Sequence, residues 1–227
     1  MVRVWDAETL APLIDFNTEA GRTWAVALSP TGSRLAASSA DGTVRIWDLP
    51  AGELVAELHA HTGRIRSMAF DQTGHSLATA GGEGIARVWQ LSTGTCAAEI
   101  ASESGWVRCV DLDTEGQRLA VGYGPGDIHV YDVDSRRKLA ELRGHNGRVL
   151  MLAMSMNPDV LISAAADGTV RAWSISACDQ LMQVRADASL NCAAFDRDTD
   201  VVLTGSANGL TAIGVPDIVG RREDSLG

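Results

Sequence analysis

Val44-Arg45-Ile46-Trp47-Asp48 is one member of a series. Val2-Arg3-Val4-Trp5-Asp6 precedes it. Ala86-Arg87-Val88-Trp89-Gln90, Ile128-His129-Val130-Tyr131-Asp132 and Val170-Arg171-Ala172-Trp173-Ser174 follow it. The aromatic anchors Trp5, Trp47, Trp89, Tyr131 and Trp173 stand 42 positions apart, without a slip. A sixth copy, Leu210 to Gly214, is eroded and has no aromatic. Chance does not produce four equal intervals of this kind. A fixed period of this length marks a stacked array, in which each unit hides its apolar face against the next.

Residues 21–61 show the parts of one unit. Thr23 to Leu28 alternates apolar and polar, and Ser29 to Gly32 is a turn. Arg34 to Ser39 forms a second strand, and Asp41-Gly42 supplies a tight hairpin. Thr43 to Trp47 is the third strand, Pro50-Ala51-Gly52 the next turn, and Glu53 to Leu58 the fourth strand. Each unit therefore reads as four short antiparallel strands. No stretch carries a sustained helical period between caps, so the expected class is all-β.

The Trp-Asp ending, the Asp-Gly hairpin six residues before the Trp, and the dipeptide Gly144-His145 resemble the WD-repeat family, in a bacterial-type form. The resemblance runs from Val2 to about Val215 and implies a β-propeller with one four-stranded blade per repeat. It places a partial blade at 1–17, blades at about 18–59, 60–101, 102–143 and 144–185, a last blade at about 186–215, and an irregular tail at 216–227. About five blades are present, whereas seven at this period need about 294 residues. The chain enters at a third strand and its last repeat holds three strands. An open arc of a larger ring is therefore expected ahead of a closed five-bladed one. The overturning observation would be pairing between Val2–Phe16 and Leu190–Val215. An open arc leaves unpaired strand edges through which it would aggregate or pair with another chain.

The resemblance also implies a buried hydrogen-bond chain through His145, Ser163, Asp167 and Trp173. The second repeat offers His61, Thr79 and Trp89, with Glu83 in place of Asp. The first offers Asp41 and Trp47, with Glu19 and Ala37 at the other two positions. The third has Glu103, Val121, Pro125 and Tyr131, so the chain should be missing there. Ser, His and Asp together invite a hydrolase reading. The structural reading is stronger, because a donor-only indole ends a relay that satisfies buried polar groups. No nucleophile geometry or oxyanion site is evident, so no catalytic residue is assigned.

In proteins resembling this one, partners contact the start of the strand nearest the axis. Three and five residues beyond the His position stand Arg22 and Trp24, Arg64 and Arg66, Trp106 and Arg108, then Arg148 and Leu150. The last repeat has Ser189 and Asn191 there. The position before the hairpin acid is small throughout: Ala40, Gly82, Gly124, Ala166 and Ala207. Arg22, Trp24, Arg64, Arg66, Trp106, Arg108 and Arg148 are thus the candidate partner-binding rim. Trp and Arg dominate binding hot spots. Arginine inherited as repeat consensus on a solvated face is the plainer alternative.

The chain has 227 residues, 45% apolar and 21% charged, which excludes a disordered chain. No run is long enough for a membrane helix, and no secretory signal is expected from the opening Met1-Val2-Arg3-Val4-Trp5-Asp6. Nineteen basic against 29 acidic residues give a net charge of −10, which disfavours a general nucleic-acid or anionic-membrane binder. A basic rim on such a protein favours a protein or an acidic or phosphorylated peptide. Single-stranded RNA stacked on Arg and Trp is the alternative partner, and a channel-site enzyme the third reading. Eighteen of the nineteen basic residues are Arg, with Lys138 alone, which reads as a GC-rich bacterial genome. Cys96, Cys109, Cys178 and Cys192 show no metal or disulfide spacing and read as small core residues of a reducing cytoplasm. His59 and His61 lack a third ligand, so no metal is expected, and no motif calls for a cofactor.

Overall fold

The structure is a computed structural model describing residues 1–18, 21–186, 188–197 and 199–215. The expectations for Glu19 and for the tail 216–227 lie outside the described residues. Among those residues there are 21 strands and no helix, in six antiparallel sheets that follow one another along the chain. The first is a hairpin of β1 (Val2–Trp5) and β2 (Pro12–Phe16). Four full blades follow. They are β3 (Val26–Leu28) to β6 (Leu54–His59), β7 (Ile65–Phe70) to β10 (Thr95–Ala101), β11 (Val107–Leu112) to β14 (Lys138–Leu142), and β15 (Val149–Met154) to β18 (Asp179–Arg185). The last sheet holds β19 (Leu190–Asp196), β20 (Val201–Ser206) and β21 (Gly209–Gly214). The first and last sheets do not pair among the described residues, so the blades form an open arc.

Side chains alternate across a strand, so a blade with a neighbour on each face buries both sets. Five apolar clusters fill the five spaces between successive sheets. Leu35 and Ala37 of β4 (Arg34–Ser38) face the first hairpin with Trp47, while Ala36 between them faces the third sheet with Val44 and Ile46. Innermost strands are also stitched sideways. Ser67 Oγ accepts from Val110 N at 3.3 Å, and the buried Asp111 carboxylate accepts from Met154 N at 2.7 Å and Arg197 Nη2 at 2.8 Å.

The hairpin glycines join blade to blade. Gly42, at φ 86°, accepts from Ala60 N at 3.1 Å and His61 N at 3.0 Å, so the turn of one blade carries the loop that opens the next. Gly84 receives Ser102 N and Gly168 receives Ala186 N in the same way, each at 2.8 Å.

At the ends of the arc the repeat pattern and the environment part. Val26 and Leu28 on β3 are exposed, since among the described residues the first sheet holds only β1 and β2 and leaves them uncovered. Leu203 and Leu210 are bare on the last sheet, beyond which no blade is described. The core reading of the cysteines is corrected: only Cys109 is buried, while Cys96, Cys178 and Cys192 are exposed free thiols. Cys96 and Cys178 sit near the outer strands, and Cys192 lies on the last sheet. The first strand of the first full repeat, read as Thr23 to Leu28, forms only from Val26, so Trp24 precedes it.

Candidate functional site

In the fifth sheet, Trp173 Nε1 donates to Ser163 Oγ at 2.8 Å, and Ser163 Oγ lies 2.7 Å from His145 Nε2. His145 Nδ1 is 3.0 Å from Asp167 Oδ2, which also accepts from Asn146 N at 2.9 Å. Asp167 Oδ1 accepts from Thr169 N at 2.9 Å. The donor-only indole orders the rest: serine donates to Nε2, and Nδ1–H donates to the carboxylate. Ser163 is wholly enclosed, beyond the reach of any substrate. Burial holds the His145 imidazole below its ordinary pKa. Burial works against the Asp167 carboxylate, yet the hydrogen bonds from Asn146, Thr169 and His145 take it down to about 2.

Asp167→Ala strands Asn146 N, Thr169 and the imidazole, and is expected to cost about 1–3 kcal/mol in urea unfolding near neutral pH. The pH dependence carries a signature. A carboxylate with a depressed folded pKa stabilises above pH 3.8 and loses that contribution as pH falls toward 2. The wild type therefore has an acid limb in that window that the variant lacks. Equal stability at neutral pH would remove the relay from the molecule's framework.

The third sheet carries a substituted version. His61 Nδ1 is 2.6 Å from Glu83, its Nε2 is 2.8 Å from Thr79 Oγ1, and Trp89 Nε1 donates to the same hydroxyl at 3.1 Å. Arg87 reaches Glu83 at 3.2 Å and Ala60 O at 2.7 Å. Both His61 nitrogens are thus engaged, while His59 is exposed outside the relay. The fourth sheet has no such relay: Tyr131 Oη lies 3.3 Å from Tyr123 Oη and 3.1 Å from His129 Nδ1.

The seven rim residues form one continuous band. Trp24 is flanked by Arg64 at 3.6 Å from the ring centroid and Arg22 at 5.1 Å, and Arg66 stands 5.7 Å from the Trp106 ring. Trp24, Arg64, Arg66 and Arg108 line one recess of about 150 Å³. Trp106, Arg108 and Arg148, with Gly124 and Pro125, line a second of about 570 Å³. Arg108 belongs to both.

Backbone geometry aims these side chains. The carbonyls of Arg64, Trp106 and Arg148 accept from Gly82 N, Gly124 N and Ala166 N at 2.8, 3.1 and 3.0 Å. The small residues before the hairpins therefore let the strands close under the rim. Arg66 and Arg108 occupy register breaks, between Ile65 and Ser67 and between Val107 and Cys109. Leu150 and Asn191 hold the same place in the following blades. A bulge residue has no partner across the ladder and is turned out of the alternation. Sequence reasoning found these positions by counting; the bulge that distinguishes them has no residue signature here.

Residues 17–217 match the β-propeller family described as nucleolar protein 10-like, N-terminal domain. The chain belongs to this family. No curated protein matches it significantly. Among solved structures, it is similar to the β-propeller domain of Cps50 (Swd1) from Myceliophteria thermophila, at 16% identity and a TM-score of 0.80 over 91% of this chain and 69% of that one. It is likewise similar to the computationally designed Ika8 protein, at 22% identity and a TM-score of 0.75 over 94% of this chain and 64% of that one. The chain spans about two thirds of the length of these structures, and at such identity they bear on the fold alone. The WD-repeat propeller resemblance stands at that level. The cytoplasmic assignment is corrected, because the family is described by a nucleolar protein, and the bacterial origin read from the arginine bias has no support there.

Proposed function

We propose that the chain is a non-catalytic interaction scaffold that holds a protein, or an acidic or phosphorylated peptide, on its Arg and Trp rim. Membership of a nucleolar protein family points to a nucleolar setting for that interaction. One observation carries the choice of face. Elsewhere Arg3, Arg45, Arg87, Arg143, Arg171 and Arg197 pair with carboxylates, and Arg34 and Arg118 donate to backbone carbonyls. Among the described residues, the unpaired Arg136, Arg137 and Arg185 do not line a recess with an indole as the rim arginines do. Among the described residues, no ion pair includes Arg22, Arg64, Arg66, Arg108 or Arg148. On a protein of net charge −10, five unneutralised guanidiniums beside two exposed indoles form the surface best suited to an acidic partner.

The test is affinity capture of partners from the chain's own cells, with wild type beside a Trp24, Arg66 and Trp106 triple alanine variant. The variant is expected to unfold at the wild-type temperature and to retain none of the partner. Retained capture by a folded triple variant would move the site elsewhere.

A further inference from the structure

We propose that Arg66, Arg108 and Arg148 together seat a phosphoryl dianion carried on a serine or threonine of the partner peptide. The proposal rests on the rim reading and narrows it to one ligand chemistry.

Three blades each contribute one guanidinium. Arg66 and Arg108 leave the bulges of β7 and β11, and Arg148 immediately precedes β15. Arg66 Nε and Arg108 Nε are shielded from solvent, and no protein acceptor reaches either. A buried donor without a partner is costly, and here two stand side by side. Burial and the like charges of Arg66 and Arg148 lower the pKa of Arg108. The cluster is thus an electrostatic strain that the folded chain leaves unrelieved. A multiply charged anion relieves it.

The recess fits such an anion on a peptide. Arg108 and Arg148 line its wall beside the exposed indole of Trp106, and Arg66 lines the adjoining recess that shares Arg108, so the seat lies where the two recesses meet. Gly124 and Pro125 also line the recess of Trp106. Pro125 occupies the place where other repeats carry the hairpin acid, so no carboxylate there repels an incoming anion. A carboxylate presents two oxygens and one charge, and one forked guanidinium meets it. A phosphoryl group presents three terminal oxygens and close to two charges, which three guanidiniums match. Trp106 offers an apolar wall for the residue next to the phosphorylated one.

The experiment uses the full chain and degenerate nonapeptide libraries with a fixed central phosphothreonine, phosphoserine, glutamate or threonine. Binding to immobilised protein is measured beside that of a twelve-residue oligouridylate. The phosphorylated libraries are expected to be retained at least about tenfold over the glutamate library. Arg108→Gln is expected to abolish that preference, and Arg108→Lys to keep charge attraction while losing most of it. Arg108→Gln should also melt no lower than wild type, since it removes a repelled cation rather than a framework contact. Equal retention of phosphorylated and glutamate libraries, lost in the rim triple variant, would overturn the phosphoryl seat and leave the rim reading intact. Peptide retention indifferent to the rim variant, or no retention at all, would count against both. Preferential, steeply salt-dependent uptake of the oligouridylate would replace the peptide with RNA.

Discussion

Gly42→Ala is expected to destabilise the chain by about 2–5 kcal/mol, and Gly32→Ala by only about 1 kcal/mol. Both glycines have positive φ, 86° and 68°. A side chain at either therefore meets the left-handed backbone penalty. They differ in what lies outside them. A β-carbon at Gly42 would fall deep inside the van der Waals radius of the His61 carbonyl oxygen, and Gly32 has nothing within 4 Å. The His61 carbonyl is backbone and cannot turn away, and the amides of Ala60 and His61 already donate to Gly42 O. Either the hairpin or the next blade's entry loop must move, breaking those bonds. Urea unfolding of the two variants measures the difference directly. Equal costs would mean that the blades are not seated on one another at this glycine.

Trp173→Ala is expected to cost about 3–5 kcal/mol, whereas Trp5→Ala costs under about 0.5 kcal/mol. The two occupy the same place in the repeat. Trp173 is 2% exposed, packs in the space between the fourth and fifth sheets, and donates to Ser163. Trp5 is 52% exposed in the first sheet, which has two strands among the described residues. Removing Trp173 opens a cavity and takes one hydrogen bond from the buried Ser163 hydroxyl; removing Trp5 does neither. Comparable losses in the two variants would mean that Trp5 is covered in solution, by another chain or by more of this one.

That pair shows how far the sequence could be read. The 42-residue interval depends on local chemistry, on strand alternation and on turn residues, and those features are visible in any one repeat. It led to the blades, to the relay residues and to the seven residues proposed above as the rim. What it could not supply was each residue's neighbour. Cys192, Val26 and Leu28 are core-like residues by pattern and solvent-facing by position, since burial belongs to pairs of blades and the outermost blades lack one. The bulges under Arg66 and Arg108 escaped for a different reason. A register break is a relation between two strands, and neither strand alone carries its mark. The cellular setting was misjudged because scattered cysteines report a reducing environment and do not tell one reducing compartment from another.

The seating of each hairpin under the next blade's opening loop bears on where recognition resides. The stretch from Ala60 through Arg66 rests on Gly42, which lies in another blade, and the loop before Trp106 rests on Gly84 in the same manner. The Ala60–Arg66 and Ser102–Trp106 stretches are therefore seated on a repeat other than the one that carries them. On the binding face proposed above, recognition is consequently a property of adjacent repeats. Excising a single repeat would separate its arginines from the platform that aims them, and grafting one into a foreign array would carry over the residues without their geometry.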